Sequence, residues 1–190
     1  MEKALASDWK YIKKAVDDLE DFILAPQESW PIAGTDLKGG PRDTGRLTIG
    51  YLLLSRRRLT ALAQDDPRHD ELRAANQRID QVHDRWRANW ARKAEKEYNK
   101  RLNLWNNCVN ELLDDPKRHA AGYADGVRWR AMLDLLNGEV SHLDPSLTVF
   151  IQSLDRRLQN AGRAGPFVWE AEVMPAFPKE QFWYLYHALM

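Results

Sequence analysis

From Arg68 to Asp115, between Pro67 and Pro116, 48 consecutive residues contain neither Gly nor Pro. The two residues least compatible with a helix interior are missing, so this stretch constrains the fold more than any other feature. Its apolar positions recur at Leu72, Ala75, Ile79, Val82, Trp86, Trp90, Ala94, Tyr98, Leu102, Trp105, Val109 and Leu112. Eleven steps cover 40 residues, a period of about 3.6, which is that of a nearly straight amphipathic helix and not of a coiled-coil seam. One unbroken helix would reach roughly 72 Å. A compact chain of this length has a radius of gyration of only about 16 Å. The sequence therefore predicts either a break near the middle of the helix or a projecting arm that needs a partner.

The other segments also read as helical. Leu5, Trp9, Ile12, Val16, Leu19 and Ile23 form one stripe on a helix from about Ser7 to Leu24. A loop rich in Pro and Gly follows, holding Trp30, and then a helix from about Arg46 to Gln64. Asp66-Pro67, Asp115-Pro116 and Asp144-Pro145 each carry helix-start chemistry, an Asp able to cap free N–H groups ahead of a Pro at the first helical position. A helix from about Tyr123 to Asn137 is stopped by Gly138, and after Pro145 the residues Leu147, Phe150, Ile151, Leu154 and Leu158 share a face. An extended segment, 165–175, leads to a C-terminal helix expected over Lys179–Leu189. No alternating run is long enough to predict a sheet. The expectation is all-α: a single domain, 1–190, of five or six helices around one very long, kinked or continuous helix at about 68–114, with an irregular aromatic-rich segment over 166–190.

Composition narrows the function classes. Lys plus Arg and Asp plus Glu are 28 each, so the basic excess typical of nucleic-acid binders is missing. Purely apolar runs such as Tyr51–Leu54 are far too short to span a bilayer, and the N-terminus lacks a signal-peptide core. The single cysteine, Cys108, permits no internal disulfide and fits a cytoplasmic location. Eight tryptophans are an unusual number for 190 residues, and aromatic side chains anchor both cores and interfaces.

Motifs that carry chemistry are few. Gly40 to Arg46 has the glycine spacing of a phosphate loop, but Arg46 and Leu47 stand where Lys and Ser or Thr are needed, and no strand precedes it. Glu139-x-x-His142 is half of a di-iron carboxylate signature, with Asp80-x-x-His83 the nearest second copy, and neither completes it. Cys108 sits on the apolar side of the long helix among uncharged Asn residues, a setting for a buried thiol rather than a nucleophile.

Two interaction signals remain. Residues 85–101 hold Arg85, Arg87, Arg92, Lys93, Lys96, Lys100 and Arg101 against Glu95 and Glu97. Lys96 has basic residues at three neighbouring helical positions and no acid at i±3 or i±4, a mild repulsion that an anion from elsewhere would relieve. In the C-terminal segment, Phe182, Leu185, Tyr186 and Leu189 form a helical stripe, while Trp183 and Tyr184 fall partly outside it. The candidate partner-binding residues are therefore Arg85, Arg92, Lys96, Lys100, Trp183 and Tyr184. No catalytic, metal or cofactor-binding residue is assigned. The expected function is a non-catalytic helical interaction or scaffold protein, a homo-oligomer or bound to a protein partner, with no membrane span. A nucleic-acid-binding module using the basic midsection is the first alternative, and a helical-bundle enzyme with Glu139 and His142 the second.

Overall fold

The long Gly- and Pro-free stretch folds as two helices. A computed structural model of the chain describes residues 3–32, 45–63 and 66–189, residues 3 and 4 as backbone only. Helix α3, His69–Arg85, ends at Trp86, where φ −118° and ψ 33° leave the helical region, and α4, Arg87–Asp114, begins at the next residue. The ladder survives the break: Trp86 N–H donates to the Val82 carbonyl, and the Trp86 carbonyl accepts from Trp90 N–H. With no Pro or Gly at the joint, the cause lies in tertiary contacts. The Trp86 indole donates to Glu20 Oε1 at 2.8 Å, on helix α1, Lys3–Leu24. Arg78 and Arg85 also reach Glu20, at 3.2 and 3.4 Å. One carboxylate thus draws the end of α3 onto α1, while α4, 28 residues and about 42 Å long, runs off along a different neighbour.

That neighbour is α6, Tyr123–Asn137, against which α4 makes its most extensive packing. Helix α2, Ile49–Leu59, lies between α1 and α6. Thr48 caps it by accepting from Tyr51 N–H. Close approach is built in at two glycines. A Cβ at Gly50 of α2 would stand 2.8 Å from Glu97 Oε1, and one at Gly126 of α6 only 2.2 Å from Cys108 Sγ. The Asp-Pro starts hold at the two later sites. Asp115 caps α5, Pro116–His119, and Asp144 caps α7, Pro145–Asn160, each through its carboxylate. At the first, Pro67 lies in a turn and α3 starts only at His69. Among the described residues there are seven α-helices, where five or six were expected: the break and the four-residue α5 each add one, and the expected C-terminal helix is lost.

Among the described residues there are also two short antiparallel pairs: β1, Trp30–Pro31, with β2, Arg46–Leu47, and β3, Gly162–Ala164, with β4, His187–Leu189. The expected C-terminal helix is absent. Trp183–Tyr186 forms a single 3₁₀ turn before β4. Strand pairing with β3 and aromatic packing hold it in that form. The stripe residues Ile79, Val82, Trp90, Ala94, Tyr98, Leu102, Trp105, Val109 and Leu112 are all buried, each large one contributing about 1.5–3 kcal/mol. Phe150, expected inside, is 40% exposed beside Val149 at 60%. The glycine-spaced loop lies outside the described residues except for Gly45 and Arg46.

Candidate functional site

The basic midsection separates into neutralised and free charges. The break at Trp86 removes Arg85 from the α4 face. It ends α3, pairs with Glu20 and covers the Trp86 ring at 5.4 Å. Arg87 pairs with Asp84 at 3.1 Å. Lys93 turns inward, donating from Nζ to the carbonyls of Ala25 and Gln27 just past the end of α1, with the Phe22 ring 4.4 Å away. Burial, then the like charges of Lys96 and Arg92, lower its pKa. Lys93 therefore satisfies carbonyls near a helix C-terminus, which suits a cation.

Arg101 is 1% exposed. Its Nε and Nη2 donate to Glu97 Oε1 at 3.0 and 2.8 Å, and the guanidinium lies 4.9 Å from the Trp129 ring centre. Glu97 Oε2 accepts from Gly50 N–H at 2.9 Å, so this ion pair also fastens α2 to α4. Arg92, Lys96 and Lys100 form one exposed ridge at i, i+4 and i+8 that meets no carboxylate of another described residue. Arg92 donates to Asn89 Oδ1 at 2.9 Å. No hydrogen bond or ion pair joins Lys96 or Lys100 to another described residue. Beside the ridge a cleft of about 330 Å³ is lined by Asn89, Arg92, Lys93 and Lys96 from α4 and by Gln27 and Glu28 from the loop after α1. Such a ridge suits carboxylates or phosphates presented by another molecule.

The two aromatic candidates are occupied within their own chain. Tyr184 is fully buried; its hydroxyl donates to Asp134 Oδ2, its carbonyl accepts from Tyr123 Oη, both at 2.7 Å, and Arg130 stacks on its ring. Trp183 is half-buried and meets Tyr184 and His187 edge to face. The C-terminal aromatics thus dock in cis.

Glu139 meets His83, the histidine of the second motif copy. His83 Nε2 is 3.4 Å from Glu139 Oε2, which also accepts from Trp90 Nε1 at 2.8 Å, while His142 is exposed. Among the described residues no group of three or more His, Cys, Asp or Glu is placed to hold a metal ion. Burial pushes the Cys108 thiol up to about 12, with Glu111 adding to the effect. Periodicity missed a buried polar cluster around Arg130 of α6, which donates to Asp134 and to both oxygens of Asp155. The i,i+4 spacing of Arg130 and Asp134 was its only local trace.

Comparison of the chain with protein-family models, curated proteins and solved structures finds no match in any of the three. No helix among the described residues is long and apolar enough to cross a membrane.

Proposed function

We propose that this chain is a non-catalytic helical interaction protein that presents the Arg92–Lys96–Lys100 ridge of α4 to an acidic surface on a protein partner. The observation that carries the reading is selective neutralisation. Arg85, Arg87 and Arg101 each meet a carboxylate and Lys93 two backbone carbonyls, whereas Arg92, bonded to the neutral Asn89, and Lys96 and Lys100 lie exposed on one helical line with no carboxylate partner among the described residues. The nucleic-acid alternative loses Arg85 to Glu20 and keeps only a short basic edge. Self-association in the cytoplasm belongs to the same proposal, supported by the adjacent exposed pair Val149 and Phe150 on α7. Light scattering reads the association directly.

The test compares the wild type with an R92E/K96E/K100E variant. Fluorescence anisotropy would follow a labelled acidic helical peptide and a labelled single-stranded oligonucleotide over a salt series. The proposal expects peptide binding that weakens with salt and is abolished by the triple substitution, at unchanged melting temperature. Preferential binding of the oligonucleotide, with a log–log salt slope set by the phosphates contacted, would favour the alternative. Binding of neither probe would overturn the ridge as a site.

A further inference from the structure

A second, chemically different site lies where α4, α6 and α7 meet. A cleft of about 170 Å³ there is lined by Tyr98 of α4, by Arg130, Asp134 and Asn137 at the C-terminal half of α6, and by Thr148 and Gln152 of α7. Tyr98 is only 2% exposed, yet no described residue shares a hydrogen bond with its hydroxyl. The hydroxyl is not among the buried polar atoms left without a partner, so it is the part of Tyr98 that water reaches in the cleft, and a donor on a ligand could take that water's place. Its surroundings act on it electrostatically: burial raises the phenol's pKa, with Arg130 opposing and Asp134 reinforcing the rise.

The charge of the wall is decided by Arg130. Its Nε and Nη2 are taken by Asp155 and its Nη1 by Asp134. One cation thus faces two carboxylates, a surplus of one negative charge, and the Arg130 donors are spent. Asp134 is the more accessible carboxylate, its side chain 23% exposed against 14% for Asp155. Each of its oxygens accepts one bond, from Arg130 and from the Tyr184 hydroxyl, and each retains a second acceptor position. The Tyr98 oxygen and the amide oxygens of Asn137 and Gln152 add further acceptors. An anion would meet repulsion here. A metal ion would find one carboxylate already committed to two hydrogen bonds.

We propose that this cleft binds a small organic cation rich in N–H donors, an ammonium or guanidinium of about five or six non-hydrogen atoms. The size follows from the volume, which is that of five or six waters at roughly 30 Å³ each. The cationic head would donate to Asp134 and to the Tyr98 hydroxyl, and Gln152 would hold the outer side.

The test titrates methylguanidinium and n-butylammonium into the full chain at constant ionic strength, observed by ¹H–¹⁵N spectra. Urea, the neutral isostere, and acetate serve as controls. Saturable shifts at Tyr98, Asn137 and Gln152 are expected for the cations alone. Tyr98→Phe and Gln152→Leu should each weaken binding by about three- to tenfold, the worth of one hydrogen bond. Both should leave the spectrum otherwise native, whereas Asp134→Asn disturbs the Arg130 cluster and is not relied on. Urea or acetate binding equally well, unsaturable shifts, or undiminished binding by both variants would each overturn the proposal.

Discussion

At the scale of single residues, the buried charged groups of this chain and most of its buried polar ones have specific company. His187 of β4 is 5% exposed, and its Nε2 donates to the Leu158 carbonyl at 3.0 Å, which fixes the neutral tautomer. Burial lowers its pKa below the ordinary 6.5, and the bond to Leu158 only partly opposes this. The sign follows from linkage. Between the folded and unfolded values the unfolded chain binds more protons, so stability present above about pH 6.5 is lost as pH falls through the folded value. Denaturant titrations between about pH 7.5 and pH 5 should show that loss, and His187→Gln, which keeps a donor but cannot titrate, should remove that step. An unchanged pH profile in the variant would assign the loss to another group. The same rule of company explains the basic midsection. Composition showed seven cations, but which carbonyl or carboxylate each would meet depends on segments distant in sequence, such as Ala25 for Lys93.

At the scale of elements, the helical stripe was legible because a 3.6 period survives any later packing. The buried face from Ile79 to Leu112 is the face that the spacing picked out. The break was legible as one of two outcomes that the length allowed, the other being a projecting arm, but not as a position, since Trp86 continues the period without interruption. Its place is set by Glu20, one turn from the end of α1 and 66 residues away from Trp86 in sequence. The Glu20 carboxylate is held below its ordinary pKa, first by the Trp86 indole and then by Arg85 and Arg78. Glu20→Ala should therefore loosen α3 against α1 while leaving the α4–α6 packing intact. Hydrogen exchange would read this as faster amide exchange across α3 with α4 protected as before. Equal acceleration in both helices would mean that the joint transmits its load rather than isolating it. The C-terminal segment misled the sequence reading for a related reason. Its helical stripe was formed by too few residues to outweigh pairing with β3, a contact that periodicity does not see. The cleft at Tyr98 was invisible for the converse reason, because Tyr98 reads as one more stripe position.

At the scale of the molecule, the C-terminal segment acts as a strap over the α6 and α7 side of the bundle. Tyr123 and Tyr184 exchange a hydroxyl-to-carbonyl bond, β4 closes on β3, and Trp169 Nε1 donates to the Ala124 carbonyl. Phe167, Trp169, Phe177, Phe182 and Tyr184 form a chain of ring contacts between about 5 and 6.5 Å. Phe182, Tyr184 and Leu185 are all fully buried, and at about 1.5–3 kcal/mol each their burial is comparable with the whole stability of a small domain. Deleting residues 182–190 should therefore abolish cooperative thermal unfolding and expose a dye-binding apolar surface, rather than lower the melting temperature by a few degrees. Differential scanning calorimetry with a hydrophobic dye distinguishes the two results. A truncated chain that still melts sharply would show that the bundle stands without its strap. The aromatic segment would then be free energetically to leave its own core, and docking into a partner would return as a reading of Trp183 and Tyr184. Loss of the transition instead ties those residues to folding and leaves the α4 ridge as the proposed interaction surface.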